Sequence, residues 1–302
     1  MPRGPPAPRR GYRPRRRWAH PAGIAALPAT PGSPPEEAGG QIDGTVAGPT
    51  DKRAITPRMI ATGLLAIQLR TLFILTGTGR IERENDPDSS SGPRLWFAGC
   101  ASGNVVAVRR DVSDGVAAEI VTLAGAEPPF TAWTSLPKYI DRYIDLLSRD
   151  APVSQKTFGV IYKLPHQLQH TSQAELIDDE SEEGRRVREW LLSHGMPAGL
   201  AELGFRSASD LWRPWCMATV NGEVVSVAFA ARISDIGAEL GVATAKAFRG
   251  RGYATAAVAG WSKLPTLQSR ELFYSTDGSN VSSQQVAARL GLGSLGASLR
   301  LS

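Results

Sequence analysis

Two cysteines in 302 residues, Cys100 and Cys216, exclude a disulfide framework and leave no cysteine spacing that suits a metal. Histidine is equally sparse, at four. The one close pair, His166 and His170, has H-x-x-x-H spacing, but Gln167 stands where a zinc protease carries glutamate, and no third ligand is evident. No apolar run is long enough to cross a bilayer. Met59–Leu75 comes nearest and is broken by Gln68 and Arg70, while Ile24–Leu27 is too short for the apolar part of a signal peptide. These absences set the expectation of a soluble, cytoplasmic protein with no metal and no membrane partner.

Excess charge is missing as well, once its placement is considered. The formal net charge of +5 and the pI near 9.4 invite a nucleic-acid reading. Residues 1–50, however, hold seven arginines against Glu36, Glu37 and Asp43, a net of +4 that leaves only +1 for the other 252 residues. No nucleic-acid partner is therefore expected for the folded part. The same 50 residues carry eleven of the 22 prolines and almost no periodic apolar pattern. A segment of this kind cannot bury enough surface to offset its ordering entropy, so residues 1–54 read as a disordered Pro/Arg-rich tail. It is either a basic arm, through Arg9, Arg10 and Arg13–Arg17, or a passive extension, since the ordered pattern begins only near Met59.

What is present is ample apolar content, 42%, for a core. Residues 55–155 read as an α+β region. Leu95–Ala101 and Val105–Arg109 alternate around Ser102-Gly103-Asn104, a hairpin signal. Val116, Ile120 and Leu123 recur at helical spacing, as do Ile140, Tyr143, Ile144 and Leu147 after Pro137. No motif there carries chemistry. The region could be a degenerate copy of the C-terminal fold, a lid, or the surface of a homodimer.

Glu175, Asp178, Asp179, Glu180, Glu182 and Glu183 lead into a helix with Val187, Trp190 and Leu191 on one face. Acids at that start suit the helix dipole; they could also form a rim that recruits a basic acceptor. Further on, Trp215–Val220 and Glu223–Ala231 flank Asn221-Gly222, the strongest two-residue hairpin signal.

The remaining chain is organised around Gly237–Leu292. Ala238–Thr244 alternates as a strand, with Glu239, Gly241 and Ala243 on one side. Arg249-Gly250-Arg251-Gly252-Tyr253-Ala254 then opens a helix. Glycines among the first amides of a helix leave those donors unshielded, and the dipole with two arginines favours an anion there. A phosphate-bearing ligand is expected. Leu272–Thr276 reads as the next strand. Asn280 reads as the cap of the helix after it, with Ser283 at N3, and Gly291-Leu292 as its Schellman end. Ser294–Leu301 gives one more strand.

The segment Arg249–Ala254 resembles the (Gln/Arg)-x-x-Gly-x-(Gly/Ala) signature of the GCN5-related N-acetyltransferase (GNAT) superfamily. Asn280-x-x-Ser283, Ala287 and Leu290-Gly291-Leu292 are similar to its Asn-x-x-(Ala/Ser)…Leu-Gly-Phe segment, in the same order and at matching spacing. The resemblance implies an α/β fold with a mixed sheet, the GNAT acyl-CoA N-acyltransferase fold, over residues 156–302. It implies acetyl-CoA as co-substrate and a small-molecule or peptide amine as acceptor. Val242, Ala243 and Thr244 would pair with the pantetheine arm. The amides of Arg251–Ala254, with Gly250, Gly252 and Tyr253 shaping the loop and Arg249 and Arg251 adding charge, would take the pyrophosphate. Asn280 and Ser283 would add contacts. Glu239 is the candidate base, since some relatives carry a catalytic glutamate on this strand. The family's usual acid is a tyrosine at the position of Ala287, so Tyr274, Ser275 or a water would replace it, or the thiolate would leave without a dedicated acid, as in many relatives. Many relatives also have two closing strands where one is legible here, so another part of the chain or a partner would complete the acceptor side.

Two rivals stand beside this reading. A Rossmann-type nucleotide site would use Glu271, but it lacks a third glycine, and five residues separate Thr244 from Gly250. A non-catalytic acyl-CoA-binding sensor or scaffold would accommodate the missing tyrosine.

Overall fold

The computed structural model describes residues 57–302 apart from Thr171. The tail expected over residues 1–54 lies outside the described residues. In chain order the elements are α1 (Pro57–Leu72), β1 (Phe73–Leu75), β2 (Ile81–Glu84), β3 (Leu95–Cys100), β4 (Gly103–Val108), α2 (Asp114–Gly125), α3 (Ile140–Ser148), β5 (Lys156–Leu164), β6 (Glu175–Asp178), α4 (Glu182–His194), α5 (Ala198–Glu202), β7 (Trp215–Val220), β8 (Glu223–Ile233), β9 (Gly237–Thr244), α6 (Tyr253–Trp261), β10 (Glu271–Asp277), α7 (Val281–Arg289) and β11 (Ser294–Leu301).

Nine strands form one mixed sheet in the order β4-β3-β11-β5-β10-β9-β8-β7-β6, and β1 with β2 makes a separate hairpin. The pair β9 and β10 is parallel, as a helical crossover through α6 requires; its neighbours are antiparallel. The turn between β7 and β8 holds Asn221 at φ 52° and Gly222 at φ 76°, the two positive values that a tight hairpin of this twist demands. The two hairpins and the crossover were legible in the sequence.

Four strands were not: β1 and β2 of the separate hairpin, and β5 and β6 of the large sheet. β5 lies between β10 and β11, pairing Tyr274 with Tyr162 on one side and Leu299 with Phe158 on the other. It is the second closing strand, supplied by an earlier part of the chain. Lysines at both ends and Gly159 within it blur its alternation; the glycine is needed, because a Cβ there would stand 2.9 Å from Ser298 Oγ and 3.0 Å from the Thr276 carbonyl. β6 is hidden in the acidic run before α4. The boundary expected at residues 155/156 falls inside the sheet, since β11 pairs with β3 as well as with β5.

Helices cover both faces. On one face, α2 and α3 pack on Leu95, Phe97 and Leu299, and α6 and α7 pack on Ala228, Leu240, Leu272 and Tyr274. On the other, α4 and α5 cover Trp215, Met217 and Val227, while α1 lies on Trp96, Ala98 and Ile161. Buried Leu65, Gln68 and Leu69 give α1 the i, i+3, i+4 stripe of a core-facing helix. α1 approaches β9 so closely that a Cβ on Gly237 would collide with the Thr71 side chain.

Candidate active site

The parallel ladder between β9 and β10 is three pairs long and ends at Glu239–Phe273. Beyond it β9 stays with β8 and β10 stays with β5, so Leu240–Thr244 and Tyr274–Asp277 part as the arms of a wedge. Burial records the opening: Gly237–Leu240 are buried, and Gly241–Thr244 are half-exposed.

At the wide end of the wedge, Gly250 and Gly252 adopt φ of 81° and 87°, a left-handed backbone that side chains rarely accept. Gly252 caps α6, and the first intrahelical bond runs from the Ala256 amide to the Gly252 carbonyl at 3.0 Å. The amides of Tyr253, Ala254 and Thr255 therefore face outward at the positive end of the helix. The Arg249 Nε donates to the Thr244 carbonyl at 3.2 Å, which folds the loop back onto β9. Arg251 is exposed, its guanidinium 5.6 Å from the Phe248 ring centre. The structure thus brings Val242–Thr244 and Arg249–Ala254 to one cleft.

Asn280 caps α7, its Oδ1 accepting the Ser283 amide at 3.1 Å. The other end closes as a Schellman motif, with Gly291 at φ 67° and amides of Gly291 and Leu292 donating to Ala288 and Ala287.

The narrow end carries Glu239 and Tyr274, on opposite faces of the sheet. Glu239 is 5% exposed, on the α1 face. Its Oε1 accepts the Ser275 amide at 2.5 Å, and its Oε2 accepts from Gln68 Nε2 at 3.3 Å. The Glu271 amide donates to Ile236 at 3.0 Å, so the amide row of β10 points at β9; the Glu239 side chain takes the row's next donor once the strands have parted. Burial pushes the carboxyl above the usual carboxylate range, against the Ser275 and Gln68 hydrogen bonds and the charge of Arg232, which pull it down.

Tyr274 is 3% exposed, on the α6–α7 face, its ring 6.2 Å from that of Tyr162. Its hydroxyl is buried and makes no hydrogen bond of good geometry. Burial raises its pKa, which keeps the phenol protonated, while the nearby Ser283 hydroxyl pulls the other way. Ala287, where the family's tyrosine would stand, is fully buried in the same cluster.

Other sequence candidates fall elsewhere. Most of the acidic run is held in local bonds: Asp178 accepts the Glu180 and Ser181 amides, Asp179 is buried against Arg213 and the Trp215 amide, Glu180 accepts the Thr266 amide, and Glu182 pairs with Arg186. Glu271, the Rossmann candidate, pairs with Lys163 at 2.7 Å. His166 and His170 lie in a loop, and among the described residues no group of three metal-ligating side chains gathers. Two features have no local signature in the sequence. One is Gln68, visible there only as a polar break in an apolar run. The other is the Phe229 ring, which lies over β9 so that a Cβ on Gly241 would stand 2.5 Å from it, with Phe205 and Trp212 packed edge-on behind.

Residues 179–293 match the family model of the acetyltransferase (GNAT) domain. Over this segment, a little over a third of the chain, the protein is similar to GNAT acetyltransferases. The matched segment runs from the end of β6 to the start of β11 and so contains the whole wedge, and acyl transfer is the chemistry of the GNAT domain. Similar solved structures include a GNAT-family protein from Novosphingobium aromaticivorans, with 17% identity and a TM-score of 0.35 over 49% of this chain and 65% of that one. A GNAT-family acetyltransferase from Colwellia psychrerythraea shares 16% identity at a TM-score of 0.33, over 53% and 60%. A GCN5-related N-acetyltransferase from Kribbella flavida shares 11% at 0.39, over 82% and 96%. The chain thus spans less than two thirds of the first two proteins' lengths. No curated protein matches the chain. Among the described residues, no helix is long and apolar enough to cross a membrane.

Proposed function

We propose that the chain is an N-acetyltransferase that moves the acetyl group of acetyl-CoA directly to a primary amine. The observation that carries this reading is the wedge between β9 and β10, with the glycine-capped start of α6 at its mouth. Pantetheine would lie along Val242–Thr244, and the pyrophosphate at the amides of Arg251–Ala254 with Arg249 and Arg251 beside them.

In the reaction the amine nitrogen attacks the thioester carbonyl. The C–N bond forms, the C–S bond breaks, and the thiolate leaves. Glu239, when ionised, accepts the proton that the amine loses, and Tyr274 supplies one to the thiolate from the opposite face. A backbone amide near Val242 would stabilise the carbonyl oxygen as charge develops on it.

The test is a thermal-shift titration of the full chain and a Gly252→Asp variant with acetyl-CoA, set beside NAD. A site filled at a hundred times its dissociation constant adds about 2.7 kcal/mol. A shift with acetyl-CoA alone, lost in the variant, supports the site; no shift with acetyl-CoA removes the reading. The absent helix tyrosine supports one alternative, an acyl-CoA-binding protein without turnover. It would show the same shift and release no thiol from acetyl-CoA with any amine.

A further inference from the structure

Gln68 is fully buried on α1, 171 residues from Glu239 and 207 from Ser275 in sequence, yet it touches both. Its Nε2 donates to Ser275 Oγ at 2.6 Å and to Glu239 Oε2 at 3.3 Å. Its Oε1 is buried with no hydrogen-bond partner. An amide at an ordinary core position does not leave its carbonyl oxygen unpaired, because a buried acceptor without a donor is costly. Beside a carboxyl group the arrangement has a use. A primary amide has a donor end, which suits a carboxylate, and an acceptor end, which suits a carboxylic acid.

Resting on the proposed base role of Glu239, we propose that Gln68 is a positioning residue that lets Glu239 hold and release a proton in one place. With the carboxylate ionised, the amide nitrogen donates to it. When the carboxyl takes a proton, the amide turns and its oxygen accepts the new O–H. The orphaned oxygen is the half of the device that the ionised state leaves idle. This gives the region before the matched domain a part in the site: α1 brings to the wedge a group that the domain's own strands do not supply.

The charged neighbours are few. From β8, Arg232 stands opposite Glu239 in register and is tied to Glu84 at 3.4 Å and Asp86 at 3.0 Å, with Arg300 also on Glu84. From β10 comes the neutral Tyr274 phenol. From α1 come Gln68 and Thr71, while Arg70 is exposed. The Glu239 carboxyl is therefore held by hydrogen bonds from Gln68 and Ser275, with the Arg232 charge acting from β8.

Infrared difference titration of the full chain against pH reads the protonated carboxyl band of Glu239, assigned by its loss in Glu239→Gln. Gln68→Met keeps the volume and removes the donor, and is expected to raise the midpoint by about one pH unit, as loss of a hydrogen bond to a charge does. Leu69→Ala loosens the same helix without touching Glu239 and is expected to leave the midpoint in place. A rise confined to Gln68→Met supports the device. An unmoved midpoint in Gln68→Met, an equal shift in Leu69→Ala, or no titrating band assigned to Glu239 would each overturn it. If Gln68→Met does not fold, Gln68→Asn, which withdraws the amide by one methylene, decides in its place, a rise supporting and anything else overturning. An acetyl-CoA thermal shift on the same samples separates this result from the transferase reading, since the titration needs no ligand.

Discussion

Glu239 and Phe273 are the last register pair of the parallel ladder, and the Glu239 carboxylate turns back to accept the amide of Ser275, two residues further along β10. A strand pair that must separate exposes backbone donors at the fork. Here one of those donors is satisfied by the same side chain that would act as base. The carboxylate's place thus follows from the sheet's own hydrogen-bonding requirement, which fixes it within reach of the gap.

The pH dependence of stability tests that arrangement. Burial raises the folded-state pKa of Glu239 above the 4.5 of the free group, so the folded protein holds a proton that the unfolded chain has lost. This contribution to stability is complete below the unfolded pKa and is lost as pH rises through the folded one. Glu239→Gln should flatten the melting temperature across that window relative to the wild type, and calorimetry at a series of pH values measures it. A wild-type curve that rises through the window in the way the variant's does not would show a carboxylate stabilised in the fold.

Tyr274 offers a cleaner separation of structure from chemistry. Its hydroxyl makes no well-formed hydrogen bond, so Tyr274→Phe is expected to change stability by no more than about 0.5 kcal/mol. If the phenol protonates the departing thiolate, the same change should lower the rate of acetyl transfer by about a hundredfold. Thiol release from acetyl-CoA, followed beside a melting curve, reads both. An unchanged rate would assign proton delivery to water.

Local signals made the wedge and its ends legible in the sequence. Asn221-Gly222, Gly250 and Gly252, the Asn280 cap and the Gly291 terminus each announce a backbone conformation within a few residues, and all occur where expected. What escaped is non-local. Lys156–Leu164 has no strong alternation, and its place between β10 and β11 depends on partners more than 100 residues away. Gln68 looks like a flaw in an apolar helix until Glu239 and Ser275 are set beside it. The acidic run was legible as a helix start, but its use as backbone and arginine partners required the turn before β7 to be in view.

Asn280 separates capping from ligand contact. Asn280→Ala removes the Oδ1 that accepts the Ser283 amide and should cost about 1 kcal/mol, a few degrees of melting temperature at this size. Asn280→Asp retains the cap and changes only the charge offered to a ligand. Equal acetyl-CoA affinity in both variants and the wild type would make Asn280 a cap alone; weakening in the aspartate variant with unchanged melting shows contact with the ligand.

The interlocking of the two regions predicts the behaviour of the matched domain alone. A chain of residues 156–302 keeps β5 and β11 but lacks β3, which pairs along Ala297–Leu301, and lacks α1, which covers Gly237, Glu239 and Ile161. It would present β11 as an unpaired edge next to an uncovered apolar face, the condition under which sheets associate. Such a fragment is expected to aggregate or to melt without cooperativity, as circular dichroism and size-exclusion chromatography would show. The junction can also be tested in the whole protein. A Cβ on Gly296 would run into the Gly99 carbonyl of β3, and backbone, unlike a flexible side chain, has no easy way to yield. Gly296→Ala should therefore destabilise the full chain by about 1–3 kcal/mol, whereas Gly293→Ala, with open space around its Cβ, should not. Equal melting temperatures for the two variants would mean that β3 and β11 are not packed as described and that the domain stands without its N-terminal neighbour.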